Sequence, residues 1–137
     1  TFHHVIDVVN PNYQITKYES KNIISINVYR SAQGSVEEVI QKVKKMQDPE
    51  KANVITGDMN ICARKQRNSP LISSLLDEEY KLMTKTATHT RGGHIDHSYV
   101  KNAEAKLHLY SPYYSDHDAL CVTVEKAWAA GVWQEPE

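Results

Sequence analysis

Apolar and polar residues follow two different patterns along this chain, and the first thirty residues have the composition and pattern of strands. The segments Phe2–Val9, Tyr13–Glu19 and Ile23–Tyr29 are rich in β-branched and aromatic residues, which predicts three strands. The sequence Asn10-Pro11-Asn12 predicts a turn between the first two. Because Ile23–Tyr29 is largely apolar without clean alternation, we expect a central strand that is buried on both faces.

Two later segments follow the helical period. Ser35, with Glu38 three residues later, matches a capping box, and Asp48-Pro49 predicts the end of that helix. A second helix is predicted to begin at Ser69-Pro70, with proline in its first turn. The apolar positions at helical spacing are Val36, Val39, Ile40, Val43 and Met46 in the first helix and Leu71, Ile72, Leu75 and Leu76 in the second.

Four further strands are predicted in the rest of the chain, at Ala52–Thr56, His94–Val100, Ala105–Tyr110 and Ala119–Val124. Strands outnumber helices, and the helices connect strands, so the fold class is mixed α and β.

Composition narrows the class of protein. The chain has 137 residues, which suits one domain or part of a larger one, and its 40% of hydrophobic residues excludes a disordered tail. The 16 Lys and Arg nearly balance the 17 Asp and Glu, which excludes a polybasic nucleic-acid binder that acts through bulk charge. No apolar run approaches the roughly 20 residues of a membrane span, and no signal peptide is visible, so we expect an intracellular location, with the nucleus as one option.

Cysteine and histidine add little chemistry of their own. Cys62 and Cys121 are too few for a disulfide scaffold, and we predict that both are reduced and buried. His89, His94 and His97 are candidate zinc ligands, but their H-x4-H-x2-H spacing matches no common zinc pattern.

Three polar clusters stand at the ends of predicted strands. Asp58 and Asn60 follow the strand that ends near Gly57, and side chains two apart on an extended stretch face the same way. Asp96 lies within an apolar strand, where a carboxylate is costly unless it is hydrogen-bonded or charge-paired. Asp116-His117 places an acid beside a base just before the last strand. Each cluster alone could be a polar turn, but together they predict one convergent site.

The order of these motifs resembles the endonuclease/exonuclease/phosphatase superfamily, which includes exonuclease III-type endonucleases, DNase I and retrotransposon endonucleases. The residues that carry the resemblance are G-D-M-N, then G-G-H-I-D-H, then S-D-H, with I-N-V-Y-R upstream ending near Tyr29. The segments around Asp96 and Asp116 look most similar to endonuclease domains of mobile elements. The resemblance implies a DNase I-like fold, in which two sheets form an αββα sandwich with helices outside.

The resemblance also implies metal-dependent hydrolysis of phosphodiesters. It makes His117 the catalytic histidine that faces the scissile phosphate, and Asp96 the carboxylate that orients it. Asp58 would orient or activate the attacking water. Tyr29 and Asn60 would contact the phosphate. Charge placement, rather than the resemblance, adds Arg64, which closely follows G-D-M-N, and Arg91 in the Gly loop as further phosphate contacts. Asp116 would bind the metal, for which Mg²⁺ is expected and Mn²⁺ is the alternative.

One departure from the family pattern affects completeness. The family has an Asn at the end of its first strand and a metal-binding Glu soon after, and no residue before Tyr29 matches either one. We therefore expect residues 1–126 to form the C-terminal portion of such a domain, followed by a tail at 127–137. The first half would be absent, or would come from a second chain or copy.

Three functions stay open at this point. The first is a nuclease acting on nucleic acid, DNA before RNA, with no membrane partner. The second is a catalytically inactive remnant that serves as a binding or assembly module. The third is a phosphatase of a small or lipid phosphate, for which no lipid-binding loop is visible.

Overall fold

The computed structural model describes residues 1–66, 68–84, 95–110, 119–129 and 132–134. The predicted sites at Arg91, Asp116 and His117, together with His89 and His94, lie outside these residues. The described strands are β1 (His3–Asn10), β2 (Tyr13–Glu19), β3 (Ile23–Arg30), β4 (Ala52–Asp58), β5 (Lys81–Leu82), β6 (Asp96–Lys101), β7 (Ala103–Tyr110), β8 (Ala119–Ala129) and β9 (Val132–Gln134); the helices are α1 (Val36–Met46) and α2 (Pro70–Asp77).

The strands form two sheets. Six of them pair in the order β1-β2-β3-β4-β6-β5, and the other three pair in the order β7-β8-β9. Only the β3–β4 pair in the first sheet is parallel, and α1 connects these two strands, as a parallel pair requires. The fold is therefore mixed α and β with two sheets and few helices, as the sequence predicts.

Both helices pack on one face of the six-stranded sheet. Ser35 caps α1 by accepting a hydrogen bond from the Glu38 amide at 3.2 Å, and Ser69 caps α2 through the Ile72 amide at 3.4 Å. Their apolar sides cover the alternate residues of the central strands in one continuous core. The fully buried members of that core include Ile15, Ile24, Ile26, Val39, Ile55, Met59, Leu75 and Tyr99.

The opposite face of the same sheet fronts the three-stranded sheet. A smaller core, built around Ile23, Val54, Val100 and Ala127, joins the two sheets at one end. Towards β8 the sheets separate and leave a cleft of about 440 Å³, lined mainly by apolar side chains such as Phe2, Ile23 and Leu120. The described residues thus form three layers: helices, a large sheet and a small sheet.

Several boundaries differ from the sequence predictions. β4 continues through Gly57 to Asp58, because antiparallel pairing with β6 extends to Asp58↔Asp96. β8 crosses the predicted tail boundary after residue 126, and β9 pairs with it through Trp128↔Trp133. The short strands β5 and β9 were not predicted, since neither segment is long enough to show a period.

Three burial predictions were also wrong. In β3, Asn27 and Tyr29 are exposed, so this strand is buried on both faces only near its start. Leu76 is exposed although Leu75 next to it is buried, because successive helical residues are about 100° apart and only Leu71, Ile72 and Leu75 face the sheet. Cys121 is exposed, because it lies on the outer side of the three-stranded sheet. No helix in the described part of the chain is long and apolar enough to cross a membrane.

Candidate active site

Three of the predicted site residues lie in one row across the six-stranded sheet. Tyr29 is the direct cross-strand partner of Asp58, and Asp58 is the partner of Asp96. Adjacent strands are about 4.8 Å apart, so the row spans only about 10 Å. Because cross-strand partners point to the same face, all three side chains face the side of the three-stranded sheet. The structure therefore brings together Tyr29, Asp58 and Asp96.

The row continues beyond the predicted residues. Gln14 in β2 is the partner of Tyr29, and it is exposed on the same face. A second polar row lies directly behind, in which Thr56 donates to Asn27 at 2.9 Å and Thr16 donates to Asp7 at 2.8 Å. Sequence analysis missed these residues, although Gln14 and Thr16 alternate with Tyr13 and Ile15, which marks β2 as a strand with one solvated face.

The three residues of the row differ in exposure. Tyr29 is 50% exposed, which leaves its hydroxyl able to reach a ligand, whereas Asp96 is only 8% exposed. Asp58 lies between them and is half-buried. A graded row of this kind offers a phenol at the open side and carboxylates at the more enclosed side.

Asn60 sits in a tight turn just after β4. Its φ of 51° is in the left-handed region, which asparagine tolerates better than most residues. The Asn60 amide donates to Asp58 Oδ1 at 3.0 Å, and Asn60 Nδ2 donates to the Arg30 carbonyl at 2.7 Å. The Asn60 amide in this turn thus fixes the Asp58 carboxylate. One of the two side-chain N–H groups of Asn60 is engaged by the Arg30 carbonyl, which leaves the other for a ligand.

A hydrogen bond between strands holds the two carboxylates together. The Met59 amide donates to the Ile95 carbonyl at 2.8 Å, which continues the β4–β6 ladder past its last paired residues. The end of β4 and the start of β6 therefore cannot separate without breaking this bond.

His97 points to the other face of the sheet from Asp96, as its position next in sequence predicts. It is completely buried, and its ring nitrogens lie 2.8 Å from the Tyr99 hydroxyl and 2.7 Å from the Ile61 carbonyl. Both nitrogens are therefore engaged in hydrogen bonds within the helix-covered core, which is unsuited to a metal ligand. Arg64 lies on the exposed surface after the Asn60 turn, close in sequence to the site but outside the row.

The donor chemistry of the row is suited to a hard divalent cation. Asp58 and Asp96 supply carboxylate oxygens, which Mg²⁺ prefers, and Mg²⁺ commonly binds through one or two carboxylates while keeping several waters. Among the residues that the structure describes, no three potential ligands gather around one point. The row therefore fits part of a magnesium site, with two carboxylate ligands at most.

Comparisons with known proteins identify the fold. No protein-family model and no curated protein sequence matches the chain. Among solved structures, it is similar to the endonuclease domain of TRAS1, a telomere-specific non-LTR retrotransposon, with a TM-score of 0.61 and 12% identity over 93% of this chain and 68% of that one.

Two toxin structures are similar as well. For CdtB, the biologically active subunit of cytolethal distending toxin, the TM-score is 0.56 at 17% identity, over 89% of this chain and 56% of that one. For the Haemophilus ducreyi cytolethal distending toxin, the TM-score is 0.57 at 13% identity, over 90% and 57%. The chain thus spans between about half and two thirds of the length of these proteins, and it shares their DNase I-like fold.

Proposed function

We propose that this chain is part of a metal-dependent nuclease that hydrolyses phosphodiester bonds in nucleic acid, with DNA as the substrate. A fold alone does not fix function, so the proposal rests on the site. The observation that carries it is the row of Tyr29, Asp58 and Asp96 on one sheet face. Their types and order are those that the superfamily resemblance implies. The similarity to a retrotransposon endonuclease domain supports a mobile-element type of nuclease.

The row suits particular steps of phosphodiester hydrolysis. Asp58 would orient a water molecule and accept its proton as the water oxygen attacks the phosphorus atom, while the bond between phosphorus and the leaving oxygen breaks. The half-exposed Tyr29 hydroxyl and the carboxamide of Asn60 donate hydrogen bonds to the phosphate oxygens. These donors stabilise the additional negative charge that develops on the oxygens as the new bond forms.

The residues outside the described part complete the proposed set. Asp96, enclosed at the start of β6, would accept a hydrogen bond from His117, which fixes the orientation of the imidazole beside the scissile phosphate. Asp116 would be a metal ligand, and Arg91 and Arg64 would contact phosphate. Mg²⁺, when bound, supplies Lewis-acid stabilisation of charge on the phosphate and on the leaving oxygen.

We further propose that more polypeptide completes this domain. The cleft between the sheets exposes apolar side chains, and so do Phe2 and the edge strand β1, where Val5, Ile6 and Val9 are exposed. An edge strand that exposes apolar side chains is suited to pairing with further polypeptide. The similar solved structures are also longer than this chain. The additional segment would bring the missing metal ligand.

A catalytically inactive binding module is the second candidate. It is favoured by the limited ligand set, since the described residues gather only two carboxylates in the row. In that case the row would bind a phosphate group without hydrolysing it. The retention of Asp58, Asn60 and Asp96 together is less expected of such a module.

Cleavage of plasmid DNA tests the proposal. The chain, and a form extended at its N-terminus, are incubated with millimolar Mg²⁺, and nicked products are measured with and without EDTA. We expect the extended form to nick DNA, and we expect EDTA, His117→Ala and Asp58→Asn to abolish nicking. Asp7→Asn is the matched control, because this carboxylate lies on the same face but in the second row. An extended form that does not cleave, or one that cleaves equally well as Asp58→Asn, would refute the nuclease function.

A further inference from the structure

One arginine is buried where the alternation of β3 requires an apolar residue. Ile24, Ile26 and Val28 point to the helix-covered core, and Arg30 is the next residue on that face. Only 6% of Arg30 is exposed. A buried guanidinium is costly unless its N–H groups are hydrogen-bonded, so its partners show what it does.

The Arg30 side chain is hydrogen-bonded to the turn at Met59 and Asn60, which follows Asp58. Its Nε donates to the Met59 carbonyl at 2.8 Å, and one terminal nitrogen donates to the Asn60 carbonyl at 3.3 Å. The other terminal nitrogen donates to the Gly34 carbonyl at 2.7 Å. In return, Asn60 Nδ2 donates to the Arg30 carbonyl at 2.7 Å. The side chain of each residue therefore donates to the backbone carbonyl of the other.

The electrostatics point the same way. Burial lowers the pKa of Arg30, whereas the negative charge of Asp58 opposes that shift. A rigid planar fork with donors in three directions can bind several carbonyls at once, which a lysine ammonium on its flexible stem cannot reproduce. Gly34 leaves the space for this side chain, since a β-carbon there would lie 2.8 Å from Arg30 Cγ.

We propose that Arg30 is a positioning residue, which sets the Asp58–Asn60 turn from beneath the sheet and thereby fixes the site residues on the opposite face. Its guanidinium donates to backbone carbonyls of that turn and of Gly34, so it acts through the turn. This inference deepens the proposed nuclease function and, for its effect on catalysis, rests on it.

The opposite end of β4 offers a matched control. Asn53 is also buried, with 1% exposed, and its side chain also holds a turn: Nδ2 donates to the Asp48 and Lys51 carbonyls at 2.7 and 2.9 Å, and Oδ1 accepts from the Asp48 amide at 3.0 Å. Loss of this side chain destabilises the fold through a comparable number of bonds. It does so at the end of the strand that is distant from Asp58.

Amide hydrogen exchange measured by NMR separates a positioning role from a merely structural one. In Arg30→Met we expect the Asn60 amide to exchange roughly tenfold faster relative to the core amides of Ile26 and Ile55. In Asn53→Ser we expect no such local change at Asn60. Arg30→Lys, which keeps the charge without the fork, is expected to fold and to show a similar local loss. Unchanged Asn60 exchange in folded Arg30→Met or Arg30→Lys chains, or an equal change in Asn53→Ser, would overturn the proposal.

Kinetics on a form that cleaves DNA supply the second readout. For Arg30→Lys we expect kcat to fall roughly 10- to 100-fold, with KM within roughly threefold, because a displaced reactive group costs rate more than binding. An unchanged kcat overturns the catalytic part of the inference. The two proposals fail separately: if no form cleaves DNA but the Asn60 amide responds selectively to Arg30, the nuclease function is refuted and the positioning role stands.

Discussion

The two faces of the six-stranded sheet differ in how they are covered and in which residues they carry. On the face that the helices cover, apolar residues of β2, β3 and β4 are completely buried in one continuous core. On the other face, apolar residues near the start of β3 meet the small sheet across an incomplete contact, and polar residues occupy its end. The same strands therefore carry the buried core on one side and the residues of the proposed site on the other. Gly57 and Arg30 connect the two, since both lie on the core side directly beneath the site row.

The largest expected effect comes from Gly57. A β-carbon there would lie 1.8 Å from the Val28 carbonyl oxygen, and φ is 147°, in the region that disfavours other residues. We expect Gly57→Ala to cost more than about 4 kcal/mol or to prevent folding, because β3 and β4 could no longer pair. Circular dichroism during urea unfolding measures this cost.

Gly34→Ala is the comparison for that measurement. Its β-carbon would approach the Asn12 carbonyl at 2.7 Å and Arg30 Cγ at 2.8 Å. We expect a smaller cost, of about 1–3 kcal/mol, because both contacts are less severe than the one at Gly57 and Gly34 lies outside the β3–β4 pairing. Equal stability of Gly57→Ala and the unaltered chain would mean that the β3–β4 pairing tolerates a different backbone path.

A pair of adjacent isoleucines compares the two faces directly. Ile24 is completely buried in the helix-side core, whereas Ile23 lines the cleft between the sheets. We expect Ile24→Ala to cost about 4 kcal/mol and Ile23→Ala about 2 kcal/mol, because a side chain beside open space loses fewer packing contacts. Equal costs in urea unfolding would show that the cleft is as well packed in solution as the core.

The chemical face predicts loss of rate without loss of stability. Tyr29 is half-exposed, so Tyr29→Phe should change the free energy of unfolding by less than about 0.5 kcal/mol. If its hydroxyl contacts the phosphate, the cleavage rate falls roughly 10- to 100-fold. Tyr18→Phe is the control, because Tyr18 pairs with Ser25, four residues from Tyr29 on the same face. A normal rate in Tyr29→Phe would remove Tyr29 from the site.

The smallest effect concerns stability at alkaline pH. Burial raises the pKa of Tyr99 above its ordinary value of 10.0. The unfolded chain therefore loses this proton first, and the contribution is intact below about pH 10 and declines as pH rises towards the native pKa. Tyr99→Phe should reduce the decline by about 1 kcal/mol at pH 11. Tyr110→Phe, at an exposed position, should leave the decline unchanged. Tyr80, whose pKa burial also raises, would account for part of the remaining decline.

Much of the fold could be predicted because its signals are local. The strand Tyr13–Glu19 has the predicted bounds, and α1 begins after the Ser35 cap and ends before Asp48-Pro49 as expected. Such features depend on side-chain periodicity and on capping within a few residues. β9 depends instead on pairing with β8, so three residues of sequence carried no usable signal.

The site was predicted in part. Asp58 was selected because it follows a strand, Asp96 because a carboxylate within an apolar strand is costly, and Tyr29 through the family resemblance. Register places the three side by side. Arg30 was not selected from the sequence as a site residue, although it lies within the I-N-V-Y-R motif that carries the family resemblance. The available signal was its position in the alternation of β3. Arg30 lies on the same face as Ile24, Ile26 and Val28, so its charge must be buried and must have hydrogen-bond partners.

The sequence by itself determined both helices and the longer strands, the residues with oxygen ligands and the superfamily that the motifs resemble. These properties follow from the order and spacing of side chains over short distances. Only the tertiary structure decided that β3, β4 and β6 lie in register so that three functional side chains share a row. It also decided that Arg30 reaches beneath that row to hold the Asn60 turn. Such contacts join residues about thirty positions apart, and the register between strands is fixed by the packing of the whole sheet rather than by any one segment.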